Sequence, residues 1–598
     1  MDRNQATGLI LFAAVLLVYT FFFSEPQPVT DEQSTTTTES LAEETSPKKA
    51  ETSPITLPDS LQNLQNQQQY GEFAALVTGN EEQVVLENDL VKIIFSSKGG
   101  EIKSVELKDF KTWSKEPLIL IDEKSAAIDY QIQTSKGPIS LNEFYFNSSI
   151  ENTTIEENPA QKLTFTANTG SGSIKRIYTL QSDKYTLAQS ISANGINSLT
   201  DQRIAITWDN KLKKQEADIS ESRRKTHINY FTKEGDFDNL SASSDEDSEQ
   251  LSSPVKWVAF KQRFFSAGLI ADEQFSDVNL VQATPTDTMS VKDMTASLSL
   301  NMVNGQANNS YFFGPNNYKL LKKVSPEFEK NVDMGYFFVS WVNKYIIVNL
   351  FHVLEKVFSN YGIIIILIVF IIKAFLFPLT YKSYIGMAKM RVIKPEIDEL
   401  KEKYGDDPTK MQQEQMKLFG QLGVSPISGC LPMLLQMPFL FAMFFFFPNS
   451  IELRQEPFLW AHDLSTYDSI INLPFTIPFY GNHVSLFTLL MTVSQIVYTR
   501  FNNQLTAAQG PMKNLGYIMP VTFMFVLNSY PAALSFYYFV SNMVTFGQQA
   551  LIKRFVDDDK IRQKVEDNKK KNANKKKSKF QARLEEAMKA ADAGKKRK

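Results

Sequence analysis

Five strongly apolar segments, near 361–381, 427–447, 484–499, 515–530 and 532–551, crowd the C-terminal part of this 598-residue chain. Several reach the roughly 20 residues that a helix needs to cross a bilayer, so they are expected to form a bundle of membrane-spanning helices. A sixth run, Gly8–Phe23, is 16 residues long and closes on three phenylalanines and Ser-Glu-Pro, without a small-x-small cleavage site. It is read as an uncleaved anchor over 1–24 rather than a secretory signal. The expected architecture is a polytopic α-helical membrane core of one anchor helix plus a five-helix bundle, with six crossings.

Between anchor and bundle the composition changes twice. Residues 25–83, rich in Thr, Ser, Glu and Gln, carry too little apolar surface to offset ordering entropy and are expected to be a disordered linker. Period-two alternation then recurs at Val91/Ile93/Phe95, Leu163/Phe165/Ala167, Ile204/Ile206/Trp208 and Leu298/Leu300/Met302, with turn residues such as Gly99-Gly100 between runs. This predicts a large antiparallel β-sandwich domain over 84–330. It offers no paired carboxylates in a motif, no His cluster and no nucleotide loop, so no catalytic residue and no metal site is assigned; a structural or docking role is expected. The single cysteine, Cys430, excludes an intramolecular disulfide and is read as a packing residue. The core is expected over 331–552. It opens on an interfacial amphipathic helix with Trp341, Tyr345, Val348, Phe351 and His352 on one side.

Lys and Arg in the connections set the orientation. The 382–425 connection carries eight basic residues and the 553–598 tail eighteen, whereas 448–483 has only Arg454. By the positive-inside rule the 382–425 hairpin and the tail are cytoplasmic, which puts both termini in the cytoplasm and the β domain outside. Within the hairpin, Met387–Tyr404 and Thr409–Leu422 read as helices, with Asp407 as cap and Pro408 at the first position of the second. The hairpin is either a platform for ribosome and incoming chain or a solvated connection with eight basic against seven acidic residues. The tail, with Lys569, Lys570, Lys571, Lys575, Lys576 and Lys577, carries a net +10, eighteen basic minus eight acidic. Its partner is ribosomal RNA or anionic lipid, unless it serves only as a topology signal.

One ammonium group interrupts the first of the five spans: Lys373, within GIIIILIVFIIKAFLFPLT (362–380). A charge at the centre of a spanning helix costs about 2.5–3.5 kcal/mol, so it must pair, snorkel or face water. No Asp or Glu lies in the other spans. Snorkelling toward Lys382 would have to cover roughly 13 Å along the helix. Water-filled space beside Lys373 is the expectation, with snorkelling and an internal polar contact left open. Gln436, Gln495, Asn528, Ser541, Asn542, Thr545 and Gln548 supply polar lining, although each alone more often makes a helix–helix hydrogen bond. Such a positive hollow would attract an acidic, short translocated segment of a client chain.

At these residues the sequence resembles the YidC family of membrane protein insertases. The likeness is carried by FIIKAFLFPLT (370–380), MAKMR (387–391), SGCLPMLLQMP (428–438), ELRQEPF (452–458), HDLS (462–465) and PAALSFYYFVSN (531–542), and more weakly by WVAFKQRFF (257–265) and YFFGPNNYKLL (311–321). The resemblance implies a periplasmic β-supersandwich and an inner-membrane insertase and chaperone. It further implies a hydrophilic, positively charged groove working without nucleotide hydrolysis, in keeping with the lack of a phosphate loop. No cofactor and no enzymatic activity are expected. Nascent membrane proteins and the lipid bilayer are the implied partners, with a Sec translocon and the ribosome as further candidates. Lys373 stands where the family usually has arginine, which keeps a cation but loses the bidentate fork. By the same carry-over Met433, Gln436, Met437, Tyr537 and Tyr538 are client-contact candidates, beside the polar residues Gln495 and Asn542; for the Met and Tyr positions ordinary bundle packing is the competing reading. A secondary transporter built on Lys373 is the main alternative, though no related halves are visible. A hydrolase would need Ser494 or Ser541 facing that lysine.

Overall fold

The structure, a computed structural model, describes residues 59–405, 407–424, 431–478, 480–505 and 511–572. The expected anchor, the linker up to residue 58, Cys430 and Lys575, Lys576 and Lys577 lie outside them. The chain divides into two compact units, Met1–Asp333 and Met334–Lys598.

In the first unit, helix α1 (Asp59–Tyr70) leads into a 3-10 turn, Gly71–Leu76. There Phe73 is buried and stacks on Phe144 with ring centroids 5.3 Å apart. This corrects the disordered linker drawn to residue 83: its last stretch is anchored by Phe73 and Leu76. A four-stranded antiparallel sheet and a fourteen-stranded one follow. At the centre of the larger, the long strand Phe265–Ala283 lies between Ser290–Asn301 and Gln306–Pro315. All twelve residues of the four sequence alternations are buried, as expected where every second side chain faces the core. Gly99 and Gly100 take φ of 78° and 61°, the left-handed region that glycine enters at little cost. The buried Arg176 donates to the Gly99 carbonyl (2.6 Å) and lies over the Tyr130 ring (4.5 Å), tying that turn to the sheet.

The second unit opens with α2 (Phe337–Val342), a π-helical turn at Asn343–Ile347, and α3 (Val348–Glu355). The expected single face is not formed. Val348 and Phe351 are buried, whereas Trp341 and Tyr345 are exposed beside Phe337, itself 91% exposed. The π turn explains the difference, because its i→i+5 bonding rotates every later side chain relative to a regular helix.

Helix α4 (Tyr361–Val392) is 32 residues long, capped by Asn360, whose side chain accepts from the Ile363 amide at 3.0 Å, and has Pro378 in its interior. By length and hydropathy α4 can cross a membrane, and Phe337–Glu355 meets the same test despite the expectation of an interfacial helix. The first hairpin helix, expected over Met387–Tyr404, is divided: Met387–Val392 ends α4 and α5 spans Lys394–Tyr404. The break falls just before Pro395, which disfavours helical geometry in the residues it follows. Helix α6 (Pro408–Leu422) has the expected cap, Asp407 accepting from the Lys410 amide at 3.0 Å.

Helix α7 (Leu431–Asn449) is followed by an unanticipated two-stranded hairpin, Ile471–Ile477 and Gly481–Val484. Then come α8 (Leu486–Leu505), α9 (Pro511–Leu527) and α10 (Ala532–Phe555). The tail does not begin as a free basic segment. Its first part is a helix, α11 (Asp558–Asn572), whose Ile561 and Val565 enter a cluster with Ala388, Ile393, Ile397, Phe419, Leu422 and Val424. Burying an Ile or Val side chain contributes about 1.5–3 kcal/mol, enough to hold a charged helix on the hairpin. Arg391 and Asp558 add an ion pair at 3.2 Å.

Candidate functional site

Lys373 sits on the inner side of α4. The outer side shows Phe370, Ile371, Leu379 and Phe375, the last 76% exposed, while Lys373 is 6% exposed. Of the three placements open in the sequence, the structure therefore takes the internal polar contact. The Lys373 ammonium donates to Gln436 Oε1 on α7 and to Thr545 Oγ1 on α10, both at 2.8 Å. Gln436 in turn donates to Ser541 Oγ (3.1 Å), and Thr545 Oγ1 donates to the Ser541 carbonyl (2.7 Å). Gln548 donates to the main-chain carbonyl of Lys373 at 3.0 Å. No carboxylate pairs with the amine among the described residues; its charge is met by neutral oxygens alone.

The water-filled space expected beside Lys373 is correspondingly reduced to a narrow, partly enclosed polar hollow. Along α4 the lining runs from Lys373 through Leu376, Thr380 and Tyr384 to Met387. Fourteen residues at 1.5 Å each make this about 21 Å, from the middle of the span to the root of the hairpin. Gln436, Tyr498, Thr545, Gln548 and Gln549 complete the wall. Tyr384 Oη, Gln548 Oε1 and Gln549 Oε1 are buried without a hydrogen-bond partner among the described residues. Buried polar groups ordinarily find partners, so these three suit the hollow to water or to a polar guest.

Sequence reasoning names Lys373, Gln436, Thr545 and Gln548 but misses Thr380, Tyr384, Tyr498 and Gln549. A signal is present: residues 541, 545, 548 and 549 share one helical face, as do 373, 376, 380, 384 and 387. Asn542 donates instead to Ser494 Oγ (2.9 Å), joining α10 to α8, and Gln495 is half-buried on α8 outside the lining. Tyr537 is buried, its ring 5.8 Å from that of Phe447, the bundle-packing arrangement that the sequence left open beside client contact. Tyr538 is half-buried and donates to the Leu440 carbonyl at 3.1 Å. Met437 is half-buried on α7; the side chain of Met433 lies outside the described residues. Asn528 is fully buried just beyond the end of α9, where it donates to the Tyr480 and His483 carbonyls. Ser541 is separated from the amine by Gln436, and Ser494 Oγ donates to the Met491 carbonyl, so neither serine is arranged as a lysine-activated nucleophile.

Two family models match the chain: one described as 60Kd inner membrane protein over residues 353–560, the other as YidC periplasmic domain over 83–348. The chain is similar to the membrane protein insertase YidC of Amoebophilus asiaticus, 45% identical with 99% of both chains covered. It is similar also to the membrane protein insertase YidC of Cytophaga hutchinsonii, 41% identical with 98% of both covered. A crystal structure of an active YidC insertase with its first transmembrane domain resolved aligns with 79% of this chain and 92% of that one, at 20% identity and a TM-score of 0.32.

Proposed function

The chain belongs to the YidC family of membrane protein insertases, and we propose that it lowers the cost of moving a short hydrophilic segment across the bilayer by receiving it in the polar hollow beside Lys373. It is an inner-membrane insertase with a periplasmic β domain, and its substrates are nascent membrane proteins. The transporter alternative is not favoured by these relatives.

The observation that carries the proposed mechanism is the Lys373 ammonium, buried in an apolar span and bonded to the neutral oxygens of Gln436 and Thr545 at 2.8 Å, with no carboxylate beside it among the described residues. A cation without a counter-ion in low dielectric attracts a carboxylate more strongly than one in water. An acidic side chain in the translocated part of a client supplies that counter-ion from outside. Thr380, Tyr384, Gln548 and Gln549 offer hydrogen bonds to the polar backbone that accompanies it. Met433, Gln436, Met437 and Tyr538 are the client contacts we retain. The chain acts by binding and solvation, without a cofactor and without a reaction of its own.

Six crossings with both termini in the cytoplasm complete the reading, with the anchor at 1–24, the core at 331–552 and the tail at 553–598. The hairpin of α5 and α6 then faces the cytoplasm together with α11, and the exposed Lys569, Lys570 and Lys571 at the end of α11 form a basic surface suited to ribosomal RNA. A Sec translocon is the candidate partner within the membrane.

The test is photo-crosslinking of a stalled nascent chain from probes at Thr380 and Gln436, inside the hollow, and at Phe370, on the lipid side. Adducts from the first two that depend on an acidic client segment are expected. Adducts from Phe370 alone, or none that respond to the client's charge, would refute the route.

A further inference from the structure

The connection between α7 and α8 contains the least expected surface of the molecule. From Ser469 to Asn482 it has no charged residue, and its sequence, SIINLPFTIPFYGN, is largely apolar. Connections outside helices and strands normally run through water and are polar. Here Ile470, Ile471, Pro474, Phe475 and Pro478 are exposed, Phe475 at 60%.

The arm is firmly rooted. At its base the Ile470 amide donates to the Val484 carbonyl (3.0 Å), and the His483 ring stacks on Tyr467 with centroids 3.7 Å apart. His483 Nε2 donates to the Asn528 carbonyl at 2.9 Å, and the Tyr480 ring packs against Phe525 of α9 at 5.4 Å. Away from the base the ladder is incomplete: Ile471 pairs with Val484 and Asn472 with His483, then pairing resumes only at Ile477 with Gly481. A lone two-stranded hairpin is marginally stable in water, and this one exposes apolar side chains on both faces.

We propose that this arm seats its apolar tip in the boundary layer of the bilayer, beside the end of α8, as a second point of membrane contact for the insertase core. Two observations favour lipid as the occupant. The arm leads within two residues into α8, whose Val493 and Val497 face outward. Phe525, which touches Tyr480, continues the outward apolar face of α9 formed by Ile518 and Val521. The apolar surface of the arm is thus continuous with surfaces that meet acyl chains. The gap in the ladder fixes the depth, because unpaired backbone groups are excluded from the hydrocarbon centre but tolerated among headgroups.

The test is site-directed spin labelling of the full-length chain, with Cys430→Ser as background and Phe475→Cys or Ile471→Cys as label sites, reconstituted in phosphatidylethanolamine and phosphatidylglycerol vesicles. Both positions are exposed, so the label is accommodated without repacking. Phe370→Cys reports the hydrocarbon and Val303→Cys, on an exposed turn of the β domain, reports water. Labels at 471 and 475 are expected about 5–10 Å inside the headgroup boundary by the ratio of oxygen to nickel-complex collisions. A ratio matching that at Val303 would overturn the proposal. Protection from both reagents would overturn it too, since it would mean that a protein surface, a second copy or a partner, covers the arm. Neither result depends on insertion activity, so failure here leaves the hollow beside Lys373 untouched.

Discussion

The substitution Lys373→Met separates the charge from the shape of the hollow. The amine makes two bonds, to Gln436 Oε1 and Thr545 Oγ1. In the variant Gln436 keeps its bond to Ser541, and Thr545 keeps its own to the Ser541 carbonyl, so each partner loses one contact of two. Two charge-assisted bonds at about 1.5–3 kcal/mol each are set against an insertion cost of about 2.5–3.5 kcal/mol for the charge. The difference runs from about −0.5 to about 3.5 kcal/mol, so the folded core is expected to lose no more than about 3.5 kcal/mol. Insertion is a different matter. A client carboxylate that meets the ammonium gains one such bond, about 1.5–3 kcal/mol, which is roughly ten- to a hundred-fold in rate. The assay is protease protection of a client translocated into reconstituted vesicles. It is run as a cycle in which the parent protein and the Lys373→Met variant each meet a client with Asp or Asn in its short translocated segment. Coupling of at least about 1.4 kcal/mol is expected. Additive effects of the two substitutions would show that the lysine does not meet the client's charge and would refute the reasoning.

Asp407→Ala removes the cap of α6 and is expected to cost about 1 kcal/mol, read as faster hydrogen exchange at the Lys410 amide. Ile561→Ala should weaken the seat of α11 on the hairpin by about 2–4 kcal/mol, seen as faster tryptic cleavage between Lys564 and Lys571. In the β domain, burial pulls the Lys261 ammonium down to about 7, with Lys225 adding to the effect and Asp333 and Glu221 opposing it. The unfolded chain binds the proton up to about pH 10, so stability should rise between pH 7 and pH 10 by up to about 1.4 kcal/mol per unit and be constant in this respect below pH 7. Lys261→Met should flatten that slope, measured by denaturant unfolding of the full chain in detergent with fluorescence of the buried Trp208 and Trp257.

Where side chains alternate between core and solvent over a whole strand, the pattern is legible in the sequence: period-two spacing alone puts Ile204, Ile206 and Trp208 in the core, where they lie. The five apolar segments and the Asp407 cap are legible for the same reason, each being a local rule applied to neighbouring residues. What escapes depends on phase or on distant partners. The π turn at Asn343–Ile347 shifts the face of α3 without any residue that announces it. Ile561 and Val565 are two apolar residues in an otherwise charged segment, and only their docking against Ile397 and Phe419 makes α11 a helix with a place. Similarly, Phe73 and Leu76 close a glutamine-rich stretch whose composition argues for disorder, and it is Phe144 that gives Phe73 its site. At Lys373 the lack of a carboxylate in the other spans is plain from the sequence, but the reach of Gln436 and Thr545 to the amine depends on how α4, α7 and α10 pack.

Pro378 lies five residues beyond Lys373 in α4, and a proline there deletes one rung of the helix's bonding. Toward its C-terminal end the helix is gripped at Ala388 by the cluster that Ile561 and Val565 close. The helix is therefore held at that end and lacks one rung between the grip and Lys373. A pull on α11 is expected to bend α4 at that point first, close to Lys373.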